Sequence, residues 1–158
     1  MKILNASPGF GKPLTEGQLK DFLEKSILQM HIGTIDEKQD ANIHPVWYHY
    51  ESEYNKIYFN TAINSKKYSN IKGYEGKNIY FCIDEANFPY RGARGKGTAK
   101  PHHDIEFNVL VAKKIMSKYY GTLENPNAKE MLDYVKSGNS VIVEIEPKYY
   151  STWDYSDT

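Results

Sequence analysis

The sequence holds a single cysteine, Cys82, so neither an internal disulfide nor a cysteine-based zinc site can form. Arginine is nearly absent: among twenty basic residues only Arg91 and Arg94 are not lysine, and both lie in one segment. Net charge is zero, which removes any global attraction for nucleic acid or an anionic membrane. Apolar runs are short, Ile79–Ile83 being among the longest, against the roughly 20 residues that a spanning helix needs. The start, MKILNASPGF, carries no apolar stretch of signal-peptide length, so a cytoplasmic location is expected. Neither a P-loop, nor a Gly-x-Gly-x-x-Gly opening a helix, nor a nucleophile elbow is present. Repeats, low-complexity tracts and linkers are missing too, and 158 residues make one domain over 1–158.

What is abundant is tyrosine, fourteen in all. Its apolar ring and polar hydroxyl suit interfaces and flat ligands. Drift in genome composition explains the lysine bias equally well.

A loose tail with Pro8, Gly9, Gly11 and Pro13 is expected over residues 1–13. Thr15 with Gln18 forms a capping box, and Leu14 with Leu19 a hydrophobic staple. Leu19, Phe22, Leu23, Ile27 and Met30 recur at helical spacing and predict a helix from Glu16 to near Leu28. The next segments read as short strands split by polar turns: 28–35, 41–50, 56–61, 78–84 and 91–100, the last closing at Pro101. Asp104 as N-cap and Gly121 as C-terminal glycine predict a helix over 105–120. Asn125-Pro126 opens a shorter helix with Met131, Leu132 and Val135 on its buried face, closed by Gly138. Residues 140–146 read as a last strand that Pro147 ends. The class is α+β: an antiparallel sheet of hairpins closed as a small barrel, with peripheral helices.

Three segments could carry chemistry. Around Asn60-Thr61-Ala62-Ile63-Asn64-Ser65-Lys66-Lys67, a strand ends and a short helix begins with two lysines in its first turn. That is the wrong sign for the helix dipole unless an anion sits there. A phosphate held by the Thr61 and Ser65 hydroxyls, free N–H groups and both ammonium groups is one reading. A solvated surface is the other, and local residues do not choose between them. In Ile43-His44-Pro45-Val46-Trp47-Tyr48-His49-Tyr50, Pro45 marks an edge or a bulge, leaving backbone groups free for a planar heterocycle. A strand with Val46 and some aromatics in the core is compatible with that. In Tyr90–Ala99, alternation puts Arg91, Ala93, Gly95 and Gly97 on one face and Arg94, Lys96 and Thr98 on the other. Anion recognition and a twisted barrel corner with solvated cations both fit. Elsewhere, His102-His103-Asp104 is not a metal site, since adjacent side chains diverge and Asp104 is an N-cap. Cys82 reads as a small, partly buried hydrophobe.

In this order the segments resemble the pyridoxamine 5'-phosphate oxidase-like split-barrel family. The likeness runs through Ile32-Gly33-Thr34-Ile35, His44–Tyr48, Ile57–Thr61 with Ser65-Lys66-Lys67, Gly95–Ala99, and Val141–Pro147 followed by Trp153-Asp154. It covers about residues 14–155. The resemblance implies an antiparallel six-stranded Greek-key split barrel and a homodimer with two flavin cofactors at the subunit interface. It places the FMN phosphate on Thr61, Ser65, Lys66 and Lys67. It lays the isoalloxazine ring along His44, Pro45, Val46, Trp47 and Tyr48, mostly on backbone groups. Asn60 and Arg94 complete the cofactor-binding set. Lysines replace the Arg-Lys pair of the vitamin-making oxidases, which keeps charge but loses a bidentate fork. No counterpart of those enzymes' substrate-phosphate residues follows Trp153, so a different small-molecule substrate is expected. His44, Tyr48 and His49 are the acid–base candidates, by position alone. Two alternatives stand beside an FMN-dependent oxidoreductase. One is an F420-dependent reductase, its acidic tail met by Arg91, Arg94 and Lys96. The other is a non-catalytic flavin carrier or a small-barrel nucleic-acid binder, and zero net charge speaks against nucleic acid.

Overall fold

The computed structural model describes residues 1–72 and 76–157. Its elements in chain order are β1 (Ile3–Asn5), α1 (Glu16–Lys25), β2 (Met30–Ile35), β3 (Ala41–Val46), β4 (Tyr48–Glu51), β5 (Lys56–Ala62), α2 (Lys66–Ile71), β6 (Lys77–Asp84), β7 (Arg91–His102), α3 (Ile105–Tyr120), α4 (Pro126–Lys136) and β8 (Ser140–Asp154). Among the described residues no helix is long and apolar enough to cross a membrane.

Sequence alternation becomes sheet faces. Met30, Ile32 and Thr34 of β2 and Ile79, Phe81 and Ile83 of β6 turn to one buried side. Hydrogen-bonded neighbours run β3-β2-β6-β7-β8-β5-β4. β3 and β4 thus stand at opposite ends of the ladder, yet only Trp47 separates them in the chain. The sheet curls until covalent chain, rather than a ladder, joins its two edges, and this is a split barrel. With β3 and β4 taken as one bent run, six strands make the barrel, as the resemblance implies.

Two apolar layers hold it. The interior is filled by Tyr48, Tyr50, Ile57, Phe59, Phe81 and Tyr150 with their neighbours. A second cluster, including Tyr58, Ile115, Met116, Leu132 and Ile142, packs α3 and α4 on the outside of β5 and β8. α1 sends Leu19, Phe22 and Leu23 into the interior near the start of β2, and α2 sends in Ile71 near its end. The two helices therefore close opposite mouths of the barrel.

Several expectations are corrected. The N-terminal segment is not wholly loose: Ile3, Leu4 and Asn5 pair in parallel with Tyr150, Ser151 and Thr152. α1 stops at Lys25, because the extended Ser26 uses its hydroxyl to accept the Leu28 N–H, leaving Ile27 exposed. On α4 the buried positions are Ala128, Leu132 and Val135, while Met131 faces out. Neither Pro101 nor Pro147 ends its strand. Pro101 lies beyond Ala99, where β6 has ended and β7 has only β8 beside it. Pro147 falls between the end of β5, opposite Ile145, and the start of β1, opposite Tyr150. In each place the missing N–H costs no ladder bond. α3 and its caps match the expectation: Asp104 accepts from the Phe107 N–H, and Gly121 adopts the left-handed φ of 73°.

The glycines of β7 answer to a close neighbour, and that neighbour is β8. A Cβ on Gly95 would lie 2.3 Å from the Tyr149 carbonyl oxygen, and one on Gly97 would lie 2.6 Å from that of Glu146. The register shift between Lys96 and Gly97 sits at this contact.

Candidate functional site

The mouth closed by α2 gathers the polar residues that the sequence singled out. Ser65 is the N-cap, its hydroxyl accepting the Tyr68 N–H at 3.2 Å and lying 2.8 Å from the hydroxyl of buried Thr61. Across from them, His44 Nε2 is 3.2 Å from the Thr34 hydroxyl, which also receives the Asn70 side-chain N–H at 3.0 Å. The Asn70 side-chain oxygen is buried and has no donor. Such an orphan acceptor is costly and marks a place where a further group can enter.

The two lysines differ sharply. Lys66 is anchored by the turn between β2 and β3, at 3.2 Å from Glu37 and 3.8 Å from Asp36. Lys67 is half-buried and makes no salt bridge among the described residues. Burial pushes its ammonium below the usual lysine value. Burial, and then the charge of Lys67, hold the His44 imidazole below its own usual value. An unpaired, partly desolvated cation beside two hydroxyls and an imidazole can take an anion at little further desolvation cost.

The remaining expected residues divide between this site and packing. Pro45 does sit on an edge strand, since β3 ends the ladder order. Val46 is buried in the barrel interior. Trp47 stacks on Tyr119 of α3 with centroids 4.7 Å apart and rings parallel to 1°, with Tyr120 edge-on. Tyr48 is fully buried, and its hydroxyl has no partner. The side chains of Trp47 and Tyr48 are thus committed to packing, leaving this run its backbone for a ligand. Asn60 turns to the opposite sheet face from Thr61 and accepts the Ser140 hydroxyl at 2.6 Å. His49 lies under α3, 3.4 Å from Glu51, and only His44 of the three acid–base candidates adjoins the α2 mouth. His102 pairs with Glu144 at 3.1 Å.

Arg94 lies elsewhere, on the outer face of the barrel. Register aligns His31, Cys82, Arg94 and Ser151 in a row across β2, β6, β7 and β8. They line a cleft of about 710 Å³ that also takes in Gly33 and Ile43. Burial pushes the Cys82 thiol up to about 11, so it is no thiolate nucleophile at neutral pH. The cleft and the α2 mouth adjoin along β2 and β3, because Gly33 and Ile43 neighbour Thr34 and His44. Arg91, by contrast, is 3.8 Å from Glu85 and 5.1 Å above the Phe22 ring.

Sequence reading missed Thr34, Asn70 and the carboxylates facing Lys66. Thr34 was detectable as a polar residue at a buried position of an alternating strand. Asn70 and Glu37 carry no local signal, because their roles arise from contacts across the fold.

Comparison with known proteins gives a consistent picture. The family model for pyridoxamine 5'-phosphate oxidase matches residues 15–154. No curated protein matches the chain. Among solved structures, the conserved hypothetical protein Rv2991 from Mycobacterium tuberculosis superposes with a TM-score of 0.77 at 20% identity, covering 95% of this chain and 90% of its own. An F420 reductase gives 0.64 at 20% identity, over 83% and 94% of the two chains. The FAD binding protein from Mycobacterium smegmatis gives 0.56 at 14% identity, over 90% and 98%. At such identities the likeness is one of fold.

Proposed function

We propose, on the premise that this chain belongs to the pyridoxamine 5'-phosphate oxidase family, that it is an FMN-dependent oxidoreductase working as a homodimer with the cofactor at the subunit interface. The observation that carries the reading is Lys67, a half-buried cation with no carboxylate partner among the described residues. Lys67 and the Thr61 and Ser65 hydroxyls hold the flavin phosphate, and Lys66 adds charge while tied to Glu37 and Asp36. The free edge of β3 offers backbone groups to the ring. Exposed Leu4, Ile43 and Tyr80 on the outer face support subunit contact there.

A bound flavin supplies hydride transfer to or from a small molecule. The chain's own part is to neutralise the phosphate, fix the ring and exclude water. His44 is the titratable group beside the phosphate, and its bond with Thr34 holds the ring nitrogen in place.

F420 is the second reading. Arg94 and Lys96 form no salt bridges among the described residues and suit its acidic tail, whereas Arg91 is paired with Glu85. The test is an absorbance titration of the purified protein with FMN and, separately, F420. Saturation by FMN at one per chain is expected. Saturation by F420 alone would replace the first reading with the second, and binding of neither would overturn both.

A further inference from the structure

The outer-face cleft combines two features that the phosphate site at α2 does not explain. Its walls are flat and apolar: Tyr80 and Tyr149 stand across the sheet from one another, with Ile43 at the rim. Its polar groups are cationic. Arg94 points outward from β7, and Lys96, two residues on along the same face, sits 5.7 Å from the Tyr80 ring centroid. Neither forms a salt bridge among the described residues. In a chain with equal numbers of acids and bases, one of only two arginines is thus left without a carboxylate, at the edge of an aromatic-walled cavity. Guanidinium is the side chain suited to a planar carboxylate, because its parallel N–H groups match the two oxygens. Gly33 keeps the space open. A Cβ there would meet Tyr80 and Ile43 at 3.5 and 3.7 Å, so nothing in the backbone requires glycine, and a larger side chain would project into the cleft.

We propose that this cleft binds a flat aromatic carboxylate, its ring between the Tyr80 and Tyr149 walls and its carboxylate on the Arg94 guanidinium. Taken with the flavin reading above, on which this last step rests, such an acid is the substrate class presented to the cofactor. The cleft is large enough for a one- or two-ring molecule, a size class for which cavities of 300–1,000 Å³ are usual. Lys96 adds a second positive charge along the strand, and the Ser151 hydroxyl, in register with Arg94, offers a further donor to the same oxygens.

The test uses 2-naphthoate and its neutral counterpart 2-naphthamide, titrated calorimetrically into the full chain with and without FMN. Wild-type protein is expected to bind the acid at least tenfold more tightly than the amide. Arg94→Gln should bring the two within twofold, and Gly33→Val should weaken both at least tenfold by filling the cavity, with circular dichroism verifying the fold of each variant. Equal affinity for acid and amide, or a preference that survives Arg94→Gln, would overturn the proposal. So would undiminished binding in Gly33→Val. Displacement of naphthoate by FMN, or by a glutamate oligomer, would assign the cleft to the cofactor and overturn it as well. Failure of FMN to bind, with the acid preference intact and lost in Arg94→Gln, would refute the flavin reading alone and leave the cleft assignment standing.

Discussion

Lys66 and Lys67 are neighbours in the chain and opposites in circumstance. The first reaches back to Glu37 and Asp36, and the second is half-buried with no acid beside it. Lys67→Ala should therefore weaken FMN at least tenfold, ~1.4 kcal/mol or more, whereas Lys66→Ala should cost threefold or less. Fluorescence titration of both variants measures the difference, and equal losses would contradict the assignment. His44 gives a second readout. In cofactor-free protein, burial and Lys67 favour the neutral imidazole, so its NMR titration should fall below 6.5. A bound phosphate offsets the Lys67 charge and should move the midpoint upward; an unchanged midpoint on adding FMN would place the anion elsewhere. The residue types of this site were legible in the sequence, since Thr61, Ser65 and the paired lysines stand together. The division of labour between the lysines was not, because the acids that claim Lys66 come from a distant turn.

At the scale of elements, local chemistry was legible wherever the determinant was local. The capping box of α1, the caps of α3 and the edge position of Pro45 were all readable from adjacent residues. Where a strand's fate depended on its neighbour's length, reading failed. Pro101 and Pro147 look like stops, and only the sheet shows that no partner needs their N–H groups. Parallel pairing of β1 with β8 is another such case, set by the far end of the chain. The glycines of β7 make this testable. Gly95→Ala would put a Cβ 2.3 Å from a β8 carbonyl oxygen, so backbone must shift, at a cost of about 1–3 kcal/mol. Gly33→Ala meets only ordinary contacts and should stay within about 0.5 kcal/mol of wild type. Urea denaturation of the two variants compares them, and equal stabilities would contradict the packing account of β7.

The whole molecule joins a closed apolar barrel to a polar cluster under α3. Glu144 is its centre, buried on β8 with Lys56 at 2.6 Å and His102 at 3.1 Å. Burial alone would push this carboxyl up, but the bonds from Lys56 and His102 win and hold it below its usual value of 4.5. A depressed carboxyl contributes stability that is present above the unfolded value and lost as pH falls through the folded one. Stability should therefore decline as pH falls below 4.5, and Glu144→Gln should flatten that decline in urea midpoints measured across it. An unchanged slope would remove Glu144 from the account.

The claim on which the function rests is that the α2 mouth binds the phosphate of a flavin. Parallel titrations of wild-type and Lys67→Ala protein with FMN and riboflavin isolate that phosphate, since the two ligands differ in nothing else. The account predicts that wild type prefers FMN by tenfold or more and that the preference largely disappears in Lys67→Ala. Equal affinity of wild type for FMN and riboflavin would contradict it.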